Sequence, residues 1–321
     1  MICIFELKLN TMNYLAPLQG FTDIVYRKAY SETFGGIDKY FIPYISVKNK
    51  QILKKYEKEI LPQNNPQNIV IPQVLAKDEN EILFLAKILE DFAYKEINLN
   101  LGCPYPMTTN REKGAGLLPH PEKVKLMLAG FFENSNLKLS IKLRAGLNSF
   151  EELDKIIPIL NEFPLTEVIF HPRIAKQLYK GEINDSKFEF AIKNLKHKLV
   201  YNGNIFSLQD YNKRKLQFPK IDNWMLGRGI LMNPFLSAQI NGITISKEEK
   251  IEKLIEFHQL IIEGYSKTMD NQGNVINKMK QFWSYFSYNF SDQRKVFKGI
   301  KKSKNIEVYN QEIKKIFLNQ Y

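Results

Sequence analysis

Eight short apolar runs recur along the first three quarters of this 321-residue chain, and they constrain its fold more than any other feature. The runs end in glycine, proline, asparagine or charge, and most gaps between them contain a stretch with helical periodicity, as at 80–92 and 151–160. Eight strands with helices between them in about 240 residues predict an α/β fold, the parallel (β/α)8 TIM barrel. The runs are 14–18, 40–45, 69–74, 97–101, 139–143, 168–171, 199–202 and 224–227.

Three of these runs contain a proline, at Pro17, Pro43 and Pro72. Proline has no backbone N–H to donate to a neighbouring strand, so it is disfavoured in the middle of a sheet. We therefore expect all three prolines to lie near strand ends.

The sequence pattern changes in the last quarter of the chain. Ser246 followed by Glu249 predicts the start of a helix. The residues expected on the buried stripe of that helix are Ile251, Leu254, Ile255, His258 and Ile262. Further helical stretches follow, and no further strand is indicated. We therefore predict a catalytic barrel domain over residues 1–242 and a helical domain over residues 243–321.

The chain is basic, with 46 Lys and Arg residues against 34 Asp and Glu residues and a net charge of +12. Such a balance favours a polyanionic partner. Residues 278–304 carry eight of the cations and a single acid, Asp292, with aromatic residues between them. An RNA-binding surface and the solvated face of a core helix both explain this segment.

Four histidines and two cysteines, without a Cys/His cluster, predict neither a transition-metal site nor a disulfide framework. No apolar run reaches the roughly 18–20 residues that cross a bilayer, so we expect no membrane partner. A reducing, cytoplasmic setting fits this composition best. The oligomeric state is left open by the sequence, with a monomer favoured. Met12 is a second candidate start codon, because the first apolar run begins just after it.

One of the two cysteines, Cys103, follows the fourth run in the sequence Asn-Leu-Asn-Leu-Gly-Cys-Pro at 98–104. Chemistry in barrels is built at the C-terminal ends of strands, and a thiol there can donate a proton. The alternative is a buried cysteine that packs as a small hydrophobic residue.

The last two runs end in glycine-containing turns, Asn-Gly-Asn at 202–204 and Gly-Arg-Gly at 227–229. Glycines let backbone N–H groups approach an anion closely, and an arginine adds positive charge. Since loops after the last two strands commonly bind phosphate in barrels, this pair predicts a phosphate site. Two ordinary glycine turns are the alternative.

Polar side chains end the other runs too. Lys142 and Arg144 share one face of the fifth run, and His171 ends the sixth. A lysine inside a barrel mouth needs an anion beside it, because its desolvation is otherwise costly. Together with the predicted phosphate site, a lysine, a histidine and amide side chains suit flavin mononucleotide (FMN). The lysine would face the pyrimidine edge of the flavin. Individually, Lys142 could extend to solvent and His171 could be a core histidine. Amide side chains are offered by Gln73, Asn98 and Asn100.

Eight motifs occur in a fixed order along the chain. They are Ala-Pro-Leu-Gln-Gly-Phe-Thr-Asp at 16–23, Asn-Leu-Asn-Leu-Gly-Cys-Pro at 98–104, Arg-Glu-Lys-Gly-Ala-Gly-Leu-Leu at 111–118, Lys-Leu-Arg at 142–144, His-Pro-Arg at 171–173, Gln-Leu-Tyr-Lys-Gly at 177–181, Asn-Gly at 202–203 and Gly-Arg-Gly at 227–229. Together they resemble the tRNA-dihydrouridine synthases, and the basic helical tail resembles that family's RNA-binding domain more loosely.

The resemblance implies a role for many of these positions, with Cys103 as the general acid. The residues implied to hold FMN are Pro17, Leu18, Gln19, Gln73, Lys142, His171, Asn202, Gly203, Asn204, Gly227 and Arg228. Those implied to lie near the uridine or its RNA are Asn100, Arg144 and Tyr179, and those implied to touch the tRNA are Lys278 and Lys280.

The chain departs from the family pattern at a few positions. Leu18 stands where methionine is common, and Asn204 stands where an acid is frequent. Pro172 and Ile174 replace small or hydroxylated residues. None of these changes removes a chemical group that the implied reaction requires.

The implied reaction is reduction of the C5=C6 bond of a uridine in the tRNA D-loop. NADPH would reduce FMN, the flavin N5 would give a hydride to C6, and Cys103 would protonate C5. One alternative is a dihydroorotate dehydrogenase-like flavin barrel acting on a free pyrimidine, which would not need the basic helical tail. Another is a barrel that binds RNA without chemistry.

Overall fold

The computed structural model describes residues 11–48, 51–66 and 69–319, so Cys3 lies outside the described residues. Within these ranges there are nine strands, β1 Met12–Leu15, β2 Lys39–Lys48, β3 Gln51–Ile52, β4 Val70–Leu75, β5 Glu96–Leu101, β6 Lys138–Gly146, β7 Val168–Ile174, β8 Leu199–Asn202 and β9 Asn223–Leu226. Eight strands close into a ring because β1 neighbours both β9 and β2, while the short β3 pairs antiparallel with β2. The predicted parallel barrel is therefore confirmed.

Helices connect the strands and form the C-terminal part of the described chain. The α-helices are α1 Ile24–Thr33, α2 Lys54–Ile60, α3 Glu79–Asp91, α4 Pro106–Thr109, α5 Pro121–Asn134, α6 Glu152–Leu160, α7 Asp185–Asn194, α8 Leu208–Gln217, α9 Arg228–Met232, α10 Leu236–Ile240, α11 Lys247–Thr268, α12 Gln272–Phe286, α13 Gln293–Lys302 and α14 Ile306–Asn319. Short 3-10 helices lie at Pro62–Asn64, Gly114–Leu117, Ala175–Gln177 and Ser287–Asn289. None of the helices in the described ranges is both long and apolar enough to cross a membrane.

The chain forms two compact units, each assembled from three segments. The barrel unit comprises Met1–Pro17, Asp38–Asn204 and Phe218–Met225, and the helical unit comprises Leu18–Ile37, Ile205–Gln217 and Leu226–Tyr321. The helical unit therefore includes α1 and α8 in addition to the helices that follow the last strand. The predicted domain division between residues 242 and 243 stays a prediction.

The prolines in the strands are placed differently from one another. Pro17 follows β1 by two residues, as expected. Pro43 lies inside β2, where the register with β4 shifts between Ile42 and Ile45. Pro72 is the third residue of β4, so the expectation of a strand end is wrong for both Pro43 and Pro72. All six residues of β4 are buried, and its apolar side chains fill both faces, as is usual in parallel sheets.

A buried polar cluster lies at the N-terminal ends of three barrel strands. Glu167, which is only 2% exposed, accepts hydrogen bonds from Tyr14 Oη at 2.9 Å and from Lys39 Nζ at 3.0 Å. Burial and the nearby carboxylate raise the pKa of the Tyr14 hydroxyl, so Tyr14 stays a hydrogen-bond donor. The cluster therefore links β1 to the starts of β2 and β7, at the end of the barrel opposite Cys103.

We expect Glu167→Gln to lower the free energy of unfolding by about 2 kcal/mol, because hydrogen bonds to buried charged groups contribute about 1.5–3 kcal/mol. Urea denaturation measures the change. Lys87→Met is a matched control, because it breaks an exposed ion pair with Asp91 and should leave stability nearly unchanged. Equal losses in the two variants would contradict a special role for the buried cluster.

Helix α11 starts where the sequence predicts, with the Ser246 side chain accepting a hydrogen bond from the backbone N–H of Glu249 at 3.1 Å. Its buried face differs in part from the predicted stripe. Leu254 and His258 are buried as expected, but Ile255 is 44% exposed. The buried positions also include Phe257, Ile261 and Tyr265.

The face of α11 that carries Phe257 packs on α1 within the helical unit. The Phe257 ring lies 5.4 Å from the ring of Tyr26 and 5.0 Å from that of Phe34, as centroid distances, and both pairs meet edge-on. Edge-to-face pairs of this kind add to the energy of area burial. The residues after β1 and those after β9 therefore share one hydrophobic core.

Candidate active site

Strand β5 ends in a turn that holds Cys103. The Asn100 side-chain oxygen accepts hydrogen bonds from the backbone N–H of Gly102 at 2.9 Å and of Cys103 at 2.8 Å. An asparagine oxygen bonded to backbone two and three residues further on fixes the direction of a turn. The Asn100 side chain therefore fixes the backbone position of Cys103.

A chain of buried amides orients Asn100 in turn. Asn100 Nδ2 donates to Gln73 Oε1 at 2.7 Å, and Gln73 Nε2 donates to Asn98 Oδ1, also at 2.7 Å. Asn98 Nδ2 donates to Ser140 Oγ at 3.0 Å. Each side-chain oxygen and nitrogen of Asn100, Gln73 and Asn98 has a defined partner. The amide orientations are therefore fixed across β4, β5 and β6.

The Cys103 thiol lies among hydroxyl groups. Its Sγ is 3.4 Å from Thr108 Oγ1 and 4.0 Å from Tyr44 Oη, and Thr108 is also hydrogen-bonded to Tyr44. Burial and the neighbouring Cys103 raise the pKa of the Tyr44 hydroxyl, so the hydroxyl keeps its proton. Although Cys103 is only 7% exposed, its sulfur has polar partners and is not packed in hydrocarbon alone.

The sequence analysis missed Tyr44 and Thr108. Tyr44 lies in a predicted strand, directly after Pro43, and Thr108 lies five residues after Cys103 in a short helix. Because the strand reads as apolar, the sequence did not indicate a role for the Tyr44 hydroxyl. Thr108 could have been found from the helix start that Pro106 indicates, since a proline at the first position of a helix is common.

A glycine allows a second loop to approach Cys103 closely. Gly114 has φ +58, and a Cβ placed there would lie 2.9 Å from Cys103 Cβ and 3.0 Å from Cys103 O. The backbone N–H of Ala115 donates to that same Cys103 oxygen at 3.1 Å. Both the backbone conformation and the contact disfavour a side chain at Gly114.

Lys142 lies on β6 directly opposite Asn100 of β5 in the strand register. Among the described residues, none forms a hydrogen bond or ion pair with its Nζ. Burial, and to a smaller extent the positive charge of Arg144, lower the pKa of Lys142 to about 7. The barrel mouth therefore holds an ammonium group without a counter-ion among the described residues, as the sequence analysis expects of an anion site.

Arg144 and Tyr179 form a pair at the same rim. The Arg144 guanidinium lies over the Tyr179 ring, 5.4 Å from its centroid, and its Nη1 donates to the Ile174 carbonyl at 3.1 Å. Burial lowers the pKa of Arg144 to about 10. Tyr179 is 39% exposed and follows Leu178, which has φ +51, a strained conformation for a leucine. The pair therefore presents an aromatic ring at the surface of a constrained loop.

Arg173 organises the end of β7. It is fully buried, and its Nη1 lies 3.3 Å from His171 Nε2 and 3.2 Å from Asn204 Oδ1, while its Nη2 donates to Gly181 O at 2.7 Å. A guanidinium cannot accept a hydrogen bond, so His171 Nε2 accepts and the ring proton lies on Nδ1. Asn204 is therefore a partner of Arg173.

The remaining predicted residues of the barrel unit are Pro17, Asn202 and Gly203. Pro17 is half-buried just beyond β1. Asn202 Nδ2 donates to Met225 O at 2.8 Å, which ties the ends of β8 and β9 together. A Cβ at Gly203 would lie 2.5 Å from Tyr201 Oη, so the space beside this backbone suits glycine alone.

Six predicted site residues belong to the helical unit: Leu18, Gln19, Gly227, Arg228, Lys278 and Lys280. Leu18 is half-buried, and Gln19 is exposed. Gly227 precedes α9, and the Arg228 guanidinium lies 5.2 Å from the centroid of the Phe206 ring. Lys278 forms an ion pair with Asp23 at 2.9 Å, whereas half-buried Lys280 forms none with any described residue.

Across the described ranges, no group of three or more histidine, cysteine, aspartate or glutamate side chains could hold a metal ion. The barrel mouth instead gathers a thiol, three cations, a histidine and several amides. In essentially every characterised enzyme with this barrel fold, the active site lies at the C-terminal ends of the strands, where these groups meet.

Comparison with known proteins gives the family. The model of the dihydrouridine synthase (Dus) family matches residues 14–319, so the chain belongs to that family. It is an enzyme, an oxidoreductase. A probable tRNA-dihydrouridine synthase of Helicobacter pylori is 25% identical over 82% of this chain and 78% of its own length. The tRNA-dihydrouridine synthase B of Pasteurella multocida is 24% identical over 84% and 76%.

Among solved structures, a variant of NCR from Zymomonas mobilis matches with a TM-score of 0.50 and 10% identity, over 73% of this chain and 87% of that chain. At this identity the likeness shows the barrel fold alone.

We expect Gly114→Ala to destabilise the protein by about 1–3 kcal/mol more than Gly35→Ala, because overpacking adds to the backbone strain. Gly35 has φ +65, and no atom lies within 4 Å of the place that its Cβ would take, so Gly35→Ala reports the strain alone. Urea denaturation of the two variants measures the difference. Equal destabilisation would show that the loop moves away from Cys103 at no cost.

Proposed function

We propose that this chain is an FMN-dependent tRNA-dihydrouridine synthase that reduces the C5=C6 bond of a D-loop uridine with NADPH as reductant. Family membership and the names of the relatives support the reaction. The observation that carries the proposal is the Cys103 thiol, which Asn100 holds at the end of β5 beside two hydroxyl groups. A cytoplasmic monomer remains our expectation.

The residues present fit a flavin. The Lys142 ammonium has no counter-ion among the described residues and lies opposite Asn100 in the register of β5 and β6. A partner with partial negative charge, such as the pyrimidine edge of a flavin, would offset its desolvation. His171 is proposed to add a hydrogen bond to the flavin. Bound FMN would supply the hydride for C6, with electrons from NADPH.

The other positions implied to hold FMN keep the roles that the family gives them. Gly203 is proposed to contact the phosphate through its backbone, beside Asn202 and Asn204. The residues proposed to complete the FMN site are Pro17, Leu18, Gln19, Gln73, Gly227 and Arg228.

Cys103 is proposed to donate its thiol proton to C5 of the uracil ring. The reaction leaves a thiolate, and the hydroxyls of Thr108 and Tyr44 lie within hydrogen-bond distance of Sγ. Because both hydroxyls can turn their protons towards sulfur, they can stabilise the thiolate. The thiol then recovers its proton from solvent.

The uridine must leave the RNA stack to reach a barrel mouth, which costs a few kcal/mol. This cost is smallest when the uridine lies in a loop. The exposed Tyr179 ring, backed by Arg144, offers a surface on which a base can stack. Asn100 is proposed to lie near the uracil. These contacts support a single-stranded target such as the D-loop.

The exposed cations of helix α13 support the proposal that the partner is tRNA. These cations form no ion pairs within the described chain, and Lys304 follows just after the end of the helix. Phosphates that replace counter-ions on such a surface give binding that weakens as salt rises. The cations are Arg294, Lys295, Lys298, Lys301 and Lys302.

We expect Cys103→Ala to keep bound FMN and to lose about 10²–10⁴-fold in the rate of dihydrouridine formation, because a positioned acid contributes that much. Mass spectrometry of an unmodified tRNA transcript, incubated with enzyme and NADPH, measures the product. Cys3→Ala serves as the control for loss of a thiol elsewhere. An undiminished rate in Cys103→Ala would remove Cys103 from the mechanism. Turnover of free uracil or dihydroorotate without tRNA would favour the dihydroorotate dehydrogenase-like alternative.

We expect the affinity for FMN to fall as the pH rises from 7 to about 9, because Lys142, with a pKa of about 7, loses its proton in that range in the flavin-free protein. Lys142→Met should bind FMN more weakly at pH 7 and lose this pH dependence. Lys138→Met, on the exposed start of the same strand, should keep the wild-type profile. Quenching of flavin fluorescence measures all three, and a flat wild-type profile would count against Lys142 as the anion partner.

A further inference from the structure

Residues 18–23 form a tight turn within the helical unit, and this turn carries Leu18 and Gln19. The backbone N–H groups of Phe21 and Thr22 both donate to the Leu18 carbonyl, at 2.9 Å and 3.0 Å. Thr22 Oγ1 accepts from the backbone N–H of Leu18 at 2.8 Å. Gly20 lies in the turn with φ +80, where other residues are strained.

Helices α11 and α12 hold this turn through Lys278 and Tyr265. Lys278 Nζ donates to the Gly20 carbonyl at 2.7 Å and pairs with Asp23 Oδ2 at 2.9 Å. Tyr265 Oη donates to the same Asp23 carboxylate at 3.0 Å, and Lys278 Nζ lies 5.0 Å from the centroid of the Tyr265 ring. Asp23 also caps α1 by accepting from the backbone N–H of Tyr26.

The ammonium group of Lys278 is therefore already satisfied. Its side chain is 14% exposed, and it has a carboxylate, a carbonyl and an aromatic ring as partners. A contact from Lys278 to an RNA phosphate would have to break the ion pair with Asp23. Lys298 on α13, by contrast, is exposed and forms no ion pair in the described chain.

We propose that Lys278 is a positioning residue that holds the turn of residues 18–23, rather than a contact to tRNA. This inference rests on the proposed function. It means that Lys278 sets the affinity for FMN through Leu18 and Gln19. The helices after the barrel strands then act on the cofactor as well as on RNA.

The test compares Lys278→Met with Lys298→Met. For Lys278→Met we expect the dissociation constant for FMN to rise about tenfold, equivalent to about 1.4 kcal/mol, with the salt dependence of tRNA binding unchanged. For Lys298→Met we expect unchanged FMN affinity, weaker tRNA binding and a salt slope smaller by about one. Fluorescence titrations with FMN and with tRNA at several salt concentrations give both quantities.

Asp23→Asn is a second variant, because it keeps an oxygen to cap α1 but removes the charge partner of Lys278. We expect the same loss of FMN affinity, and a double variant no weaker than either single one, because the two residues act as one pair. Hydrogen exchange of the backbone amides at 18–22 should be faster in both variants. This readout does not depend on FMN.

A smaller salt slope for Lys278→Met, with unchanged FMN affinity and unchanged hydrogen exchange, would overturn the inference and make Lys278 a phosphate contact. If the wild-type protein binds no FMN, the proposed function fails. The hydrogen-exchange rates of the backbone amides at 18–22 then still decide whether Lys278 holds the turn.

Discussion

Closure of a parallel sheet into a barrel is the constraint on which the rest of the site depends. It brings the C-terminal ends of the strands to one rim, so side chains far apart in the sequence meet there. The amide chain from Ser140 through Asn98 and Gln73 to Asn100 uses this register directly. A slip of one residue in any of the three strands would turn an amide to the other face and break the chain. The position of Cys103 is thus a consequence of strand register.

The rim holds more positive than negative charge, and this imbalance lowers the stability of the folded protein. Lys142 and Arg144 both have lowered pKa values because burial disfavours their charged forms. Glu167, in contrast, satisfies its cation Lys39 at the other end of the barrel. One end of the barrel therefore pairs its buried charges, while the other holds Lys142 without a counter-ion among the described residues.

The architecture and most polar positions at the rim follow from sequence pattern, because strand ends coincide with the breaks in apolar runs. The details that failed depend on tertiary context. Pro72 is accepted inside β4, and Ile255 is exposed because α11 turns a different face to α1 than its own periodicity indicates. The neighbours of Cys103 were missed, since Tyr44 reaches the thiol from a strand interior and Thr108 from a short helix that only Pro106 indicates. The resemblance implies that Lys278 touches tRNA, and the sequence does not show its ion pair with Asp23, which lies 255 residues away.

The shared aromatic core of α1 and α11 has a consequence for how the chain can be divided. Tyr26 and Phe34 are covered by Phe257, so a fragment ending before α11 would leave these rings facing water. Such contacts also join segments separated by more than two hundred positions, which slows folding because a long loop must close first. Truncation to obtain a minimal barrel should therefore yield an aggregation-prone polypeptide, and swapping whole tails between homologues would require exchanging α1 with them.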